Sequence, residues 1–257
     1  MTRGTRTGRA LAALSLLLAL AACAGRPPTV AEARSPFRWH AVLVGADGSL
    51  PVFDNATAKL AAGLAAGGVQ DIRRFSASRR RPEGADPALL PAVTEAIAAL
   101  RPAPGEGCLV FVTSHGAPGR GLVFAASRAF LSPALLDAAL NRGCGEAPTA
   151  VIASGCFSGN FAAAPMARSN RVVLTAARAD RPSFGCGAGF FYTVFDACLA
   201  EALDAAAPAG WAAVAGGTRG CVEREEARLS VPASEPQFFT GDRVRTLPVP
   251  WKPVPSS

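Results

Sequence analysis

Histidine is nearly absent from this chain of 257 residues: there are two, His40 and His115. Seven cysteines occur, at 23, 108, 144, 156, 186, 198 and 221, but no C-x-x-C pair joins them. A structural zinc site wants Cys and His ligands at close spacing, so that class is set aside and no metal site is expected. No phosphate-binding loop or dinucleotide fingerprint is present, and no cofactor is implied. The runs Arg73-Arg74 and Arg79-Arg80-Arg81 have no interleaved aromatics. They read as a solvated strand end and loop, and no nucleic-acid partner is expected. A Gly-x-Ser-x-Gly elbow is missing as well, since the sequence around Ser158 is Gly155-Cys156-Phe157-Ser158-Gly159. There is no internal repeat.

The apolar run Ala10 to Ala22, 13 residues broken only by Ser15, is too short to span a bilayer comfortably. It follows Arg3, Arg6 and Arg9 with no acid between them, which is the pattern of a signal peptide. Its end, Leu20-Ala21-Ala22-Cys23-Ala24-Gly25, resembles a bacterial lipoprotein signal. The resemblance implies cleavage before Cys23 and a diacylglyceryl group on its sulfur. Ala24 after the cysteine implies export to the periplasmic face of the outer membrane, with the membrane reached through the N-terminal lipid. Removing residues 1–22 takes away three arginines and lowers the formal charge from +7 to +4. The expected organisation is a lipoprotein signal peptide (1–22), a tether (23–37), one domain (38–245) and a proline-rich tail (246–257).

Half of the chain is hydrophobic, enough for one α/β domain with a full core. Ala41 to Gly45 is a first buried strand, and Asp54 or Asn55 is placed to cap a helix to about Ala66. A more polar strand spans Val69 to Phe75. Asp86-Pro87 reads as a cap with proline at the first helical position, opening a helix to about Leu100. The apolar run to Thr113 is another strand, followed by a Gly/Pro loop and a short Leu122-Val123-Phe124 segment. Ser132-Pro133 opens a helix to about Asn141. Ala150 to Ser154 is a strand, with a helix expected near Ser158. Arg171 to Ala176 is a strand and Gly189 to Leu203 a helix. Beyond about 207 one helix and an edge segment, Gln237-Phe238-Phe239, are expected. Alternating strands and helices demand an α/β fold: a three-layer sandwich with a mainly parallel sheet and helices on both faces.

Two of these strands end in reactive side chains. His115 closes Leu109-Val110-Phe111-Val112-Thr113-Ser114-His115-Gly116, and Cys156 closes Ala150-Val151-Ile152-Ala153-Ser154-Gly155-Cys156. Ligands of open α/β sheets bind beyond the carboxyl ends of the strands. Adjacent strands would bring an imidazole and a thiol together there, as a Cys-His dyad for hydrolysis requires. The amides of Gly116 and Cys156 are the candidate oxyanion donors. A helix N-terminus after Cys156 and the nearby imidazole would each lower its pKa. His40, before the first strand, reads as structural. Of the remaining cysteines, Cys144, Cys186 and Cys221 are the favoured disulfide partners, while Cys108 opens a buried strand and Cys198 lies on an apolar helix face. Pairing is not readable from the sequence.

The motifs Thr113-Ser114-His115-Gly116 and Ala153-Ser154-Gly155-Cys156-Phe157-Ser158-Gly159 resemble the legumain family of cysteine peptidases, in the caspase-like clan. The stretch from Leu174 to Cys186 resembles that family's loop beside the primary specificity pocket. The caspase signature Gln-Ala-Cys-x-Gly is absent. The resemblance implies a caspase-like fold, His115 and Cys156 as the catalytic pair, Gly116 in the oxyanion hole, and a protein or peptide substrate met by Ser154, Asp180 and Ser183. Ser154 stands where the family carries an acid, so preference for Asn or Asp is not implied. The function expected is a lipid-anchored cysteine endopeptidase. The alternatives are an inactive binding lipoprotein, or a transpeptidase or ester hydrolase, on the same fold. Asp54 or Asn55 is the candidate to orient His115.

Overall fold

The structure, a computed structural model, describes residues 1–2, 37–206 and 210–252. Nearly all of the expected signal peptide and tether, Cys23 included, lies outside the described residues. In chain order the elements are β1 (Arg38–Gly45), α1 (Val52–Ala66), β2 (Asp71–Ser76), β3 (Ala85–Pro87), α2 (Leu90–Ala98), β4 (Glu106–Thr113), β5 (Gly116–Ala117), β6 (Gly121–Phe124), β7 (Ala129–Leu131), α3 (Pro133–Gly143), β8 (Thr149–Ser154), β9 (Arg171–Thr175), α4 (Val194–Ala206), α5 (Trp211–Leu229) and β10 (Gln237–Thr240). Among the described residues no helix is long and apolar enough to cross a membrane.

The runs read as buried strands form the middle of a seven-stranded sheet, ordered β10-β9-β8-β4-β1-β2-β3. All pairs are parallel except β10 with β9. Every residue of β4 and β8 is buried, because both faces of the sheet are covered. Successive side chains point to opposite faces. Leu43, Leu109, Phe111 and Ile152 meet α1, α4 and α5 through Leu60, Leu199 and Trp211. Val42, Val44, Val110 and Val112 meet α2 and α3 through Val93, Ile97, Leu136 and Leu140. Burying each such side chain stabilises the fold by about 1.5–3 kcal/mol. The expected three-layer α/β architecture is thus the one observed. A second sheet, β5-β6-β7, branches off directly after His115.

Several local expectations are corrected. Asp86-Pro87 does not start a helix. Arg74, Phe75 and Ser76 of β2 pair with Ala85, Asp86 and Pro87, and the Ala88 amide donates to the Ser76 carbonyl. The helix begins at Leu90 instead, with Pro91 in its first turn. Near Ser158 there is only a 3-10 turn, Ser158–Ala162, entered through Phe157 at φ 58°. Cys156 therefore has no α-helix behind it. Helix α4 starts at Val194, later than expected. Asp54 does not cap α1, because its carboxylate accepts from Ser76 and Ser78 hydroxyls. The residues after 246 do not trail free up to Lys252. Trp251 is buried over Gly63 of α1, and its indole N–H donates to Asp204 at 2.8 Å. The arginines at 79–81 are exposed, as a solvated loop should be.

The cysteine pairing also differs. Cys108 bonds Cys144, joining β4 to the end of α3, and Cys198 bonds Cys221, joining α4 to α5. Cys144 and Cys221 are paired as favoured, but with the two cysteines set aside for their apolar surroundings. A disulfide is itself apolar, so a buried strand or helix face is no bar to it. Cys186, the third favoured partner, is free, as is Cys156. Replacing Cys108 and Cys144 together by alanine should lower the unfolding free energy by about 2–4 kcal/mol. Urea unfolding followed by circular dichroism measures this, with unchanged stability as the contrary result.

Candidate active site

The site begins with a register. Thr113, the last residue of β4, pairs with Ser154, the last residue of β8. The Ser114 amide continues the ladder by donating to the Ser154 carbonyl at 3.0 Å. His115 and Cys156 each stand two residues beyond that last pair, on adjacent strands about 4.8 Å apart. The loops then touch through their backbones. A Cβ on Gly116 would lie 1.9 Å from the Cys156 carbonyl oxygen, and one on Gly155 would lie 2.6 Å from the Ser114 carbonyl oxygen. Only glycine tolerates either approach. The imidazole is half-buried and packs edge-to-face with the Phe53 ring, centroids 5.4 Å apart. The His115 carbonyl accepts from Val123 of β6 at 2.8 Å, which fixes the backbone on the other side.

The turn after Cys156 is held from three directions. Phe157 has left-handed backbone, uncommon for an aromatic residue and costly by about 1–3 kcal/mol, and its amide donates to the Arg181 carbonyl. The Ser158 hydroxyl accepts from the amides of Ala176 and Ala177 at 3.1 and 3.3 Å. Gly159 presses on the backbone of residues 177–179. The nucleophile candidate is thereby tied to the segment after β9. That segment is pinned in turn, since Glu235 pairs with Arg178 at 2.6 Å and Arg181 at 3.0 Å.

The Cys156 sulfur is half-buried under this segment. The Ser183 amide donates to it at 3.3 Å and the Ser183 hydroxyl reaches it at 3.7 Å. The Cys186 thiol, three residues on, is near enough to influence its ionisation. Those contacts favour the thiolate. The Cys186 thiol is the largest influence; burial opposes it, and Ser183 and the charge of the His115 imidazolium assist. The Cys156 pKa is thus held well below the ordinary thiol range. The Cys186 pKa moves the other way, raised by the nearby Cys156 sulfur, by burial and by the Cys156 charge.

Beneath the pair lies a buried polar floor. The Thr113 hydroxyl donates to Asp196 in the first turn of α4 at 2.7 Å, and the Thr193 hydroxyl accepts from the Asp196 amide at 3.0 Å. Burial raises the Asp196 pKa, while the hydroxyls of Thr113, Ser154 and Thr193 work to lower it. Ser154 belongs to this floor. It is 1% exposed, so it lies under the site and does not line a substrate groove. Asp180 is exposed, with both carboxylate oxygens on Arg178 at 2.6 and 2.9 Å. Ser183 alone of the three expected substrate contacts reaches Cys156. Neither candidate for orienting His115 does so. Asp54 serves Ser76 and Ser78, and the Asn55 amide donates to the Phe191 carbonyl at 2.9 Å. Their neighbour Phe53 is the residue in contact with the ring.

His40 sits at the far end of the sheet, between Asp71 at 2.6 Å and Glu106 at 2.9 Å. Burial opposes its charge, but the hydrogen bonds to Glu106 and Asp71 outweigh it and raise the pKa. The same contact is foremost in lowering Glu106 to about 2. This is a structural ion cluster, as expected of His40. A cavity of about 640 Å³ opens beside it, between Phe37, Asp71 and Pro250. It lies at the opposite end of β1 and β4 from His115 and Cys156. Among the described residues no group of three His, Cys, Asp or Glu side chains is placed to hold a metal ion.

Residues 93–212 match the model of the Peptidase C13 family. That span runs from α2 into the start of α5 and contains His115, Cys156 and Cys186. No curated protein matches the chain. Among solved structures, caspase-1 from Spodoptera frugiperda is similar, with a TM-score of 0.59 and 14% identity over 84% of this chain and 93% of that one. At that identity the likeness speaks for the fold, a mostly parallel sheet flanked by helices. The family match makes this chain a cysteine-type peptidase.

Gly116→Ala should lower peptide hydrolysis on the order of 10²-fold, because the added carbon must push the His115 and Cys156 loops apart. Turnover measured beside a thermal melt checks it. A variant of unchanged activity would contradict the close approach.

Proposed function

We propose that this cysteine-type peptidase is a lipid-anchored endopeptidase whose nucleophile is Cys156 and whose acid–base partner is His115. The observation that carries the reading is the shared register. Two strands paired to the same level each continue for two residues into a reactive side chain, and their loops touch. The reaction follows from the groups present. The Cys156 thiolate adds to the peptide carbonyl carbon, and negative charge moves to the carbonyl oxygen. The amides of Gly116 and Cys156 are assigned to meet that charge, a contribution of about 10²–10³ in rate per donor. Imidazolium at His115 gives its proton to the departing amine, leaving a thioester on Cys156. His115, now neutral, takes a proton from water as it attacks the thioester. The carboxylic acid leaves and gives its proton to solvent, the thiolate is released, and the starting ionic pair returns.

Substrate contact on the acyl side falls to the segment around Ser183, the part of the post-β9 loop that reaches the sulfur. The buried hydroxyl of Ser154 brings no charge to the pocket, so a preference for Asn or Asp has no support from that position. The placement at the periplasmic face of the outer membrane rests on Leu20-Ala21-Ala22-Cys23 and on the basic, then apolar, leader. Two disulfides among the described residues suit an exported protein.

Cys156→Ala and His115→Ala should each abolish cleavage of a peptide library by the full chain, with melting temperatures preserved. Cleavage surviving in Cys156→Ala would sink the assignment. Cys23→Ala should shift the protein from the membrane to the soluble fraction of cells expressing it, and stop incorporation of labelled fatty acid. Unaltered fractionation would remove the anchor.

A further inference from the structure

Residues 182–195 carry no charged side chain, yet they hold five aromatics: Phe184, Phe190, Phe191, Tyr192 and Phe195. Four of these have ordinary structural places. Phe195 is buried in the first turn of α4, and Phe184, Phe190 and Tyr192 pack partly against the core beneath α1, α4 and α5. Phe191 does not share that burial. It is 65% exposed, with its ring edge-to-face with Tyr192, centroids 4.8 Å apart. A single exposed apolar side chain is common on a protein surface. What sets Phe191 apart is where the loop holds it. The loop closes on itself, because the Val194 amide donates to the Phe184 carbonyl at 3.0 Å. One foot is on the nucleophile, where the Ser183 amide donates to the Cys156 sulfur at 3.3 Å. The far side is tied to α1, where the Asn55 side-chain amide donates to the Phe191 carbonyl at 2.9 Å. Asn55 shares the first turn of α1 with Phe53, whose ring meets His115 at 5.4 Å between centroids. The aromatic loop therefore spans the pair, from the sulfur to the helix turn that touches the imidazole.

We propose that this loop is an apolar specificity wall with Phe191 as its exposed contact, and that the substrates are peptides with a large apolar side chain, aromatic or long aliphatic, at the cut. The inference rests on Cys156 and His115 as the catalytic pair and names the substrate class of that site. The side chain concerned belongs to the residue carrying the scissile carbonyl or to the one before it, since the acyl side runs past Ser183. Aromatic rings offer such a group a large apolar face. They offer a carboxylate or a primary amide nothing to replace the water it would lose. The charges that flank the loop are engaged elsewhere. Arg178 pairs with Asp180 and Glu235, Arg181 pairs with Glu235, and Asp54 accepts from Ser76 and Ser78. Asp196, just past the loop, is buried. The stretch leading to Phe190 is open, because around Gly187 and Gly189 nothing lies within 4 Å of where a Cβ would be. A substrate side chain meets no competing group there.

The test is a panel of fluorescein-labelled peptides that differ only at those two acyl-side positions, set in turn to Phe, Leu, Ala, Asn and Asp. With the full chain, kcat/KM for Phe or Leu is expected to exceed that for Asn or Asp by about 10-fold or more. Phe191→Ala should narrow this ratio about 10-fold, mainly by raising KM for the apolar peptides, and Phe191→Leu should keep most of it. In both variants the melting temperature and the rate of iodoacetamide alkylation at Cys156 should stay as they are in the unaltered chain. Equal rates across the panel, a preference for Asn or Asp, or a ratio untouched by Phe191→Ala overturns the proposal. The same peptides titrated against Cys156→Ala by fluorescence anisotropy read the preference without turnover. Tighter binding of the Phe and Leu peptides there, by a protein whose unaltered form hydrolyses none of them, would support the wall and defeat the peptidase reading.

Discussion

The contact on which the rest depends is between two backbones. Gly116 lies so close to the carbonyl of Cys156 that no side chain fits between them, and Gly155 is equally close to Ser114. These approaches extend the β4–β8 ladder past its last formal pair and carry its register into the loops. A hydrogen-bonded ladder fixes position along a strand, because a slip of one residue would turn every buried side chain to the other face. The placement of His115 beside Cys156 is therefore secured by the whole buried length of two strands.

The surroundings of that contact limit movement of the sulfur. The left-handed Phe157 turns the chain sharply away from β8, and Ser158 and Gly159 dock the turn on the end of β9. The acid–arginine group at Arg178, Arg181 and Glu235 holds the opposite wall. Exposed ion pairs contribute little stability singly, about 0–1 kcal/mol, so their role here is positional. Under the site, a buried carboxyl at Asp196 bonds the end of β4 to α4. On its loop side the sulfur meets the Ser183 amide as donor and the Ser183 carbonyl as acceptor, and its surroundings together lower its pKa against the cost of burial.

How much of this was legible in the sequence varied with the kind of signal. Fully buried parallel strands announce themselves as unbroken apolar runs, so β1, β4, β8 and β9, the sandwich, and the common edge for His115 and Cys156 followed from composition alone. Segments whose form is decided by a partner did not. Ala85–Pro87 has helix-start chemistry, yet β2 offers a ladder that satisfies its backbone. Trp251 lies in a proline-rich stretch that reads as a tail, and only the space over Gly63 explains its burial. Cys108 and Cys198 looked committed to the core, which is compatible with being bonded there. The path of the loop after β9 carries no periodicity, so the hydrogen bond from the Ser183 amide to the Cys156 sulfur could not be read. Likewise the contact of Phe53 with His115 gave no sign, because the search at that stretch was for polar partners.

The account turns on a cysteine kept ionised by its surroundings at the rim of the sheet. The rate of iodoacetamide alkylation at Cys156, followed peptide by peptide across pH, reads that ionisation directly. The account predicts a rising limb well below the ordinary cysteine value of about 8.5, with Cys186 reacting only at much higher pH. Two indistinguishable curves near 8.5 would contradict it.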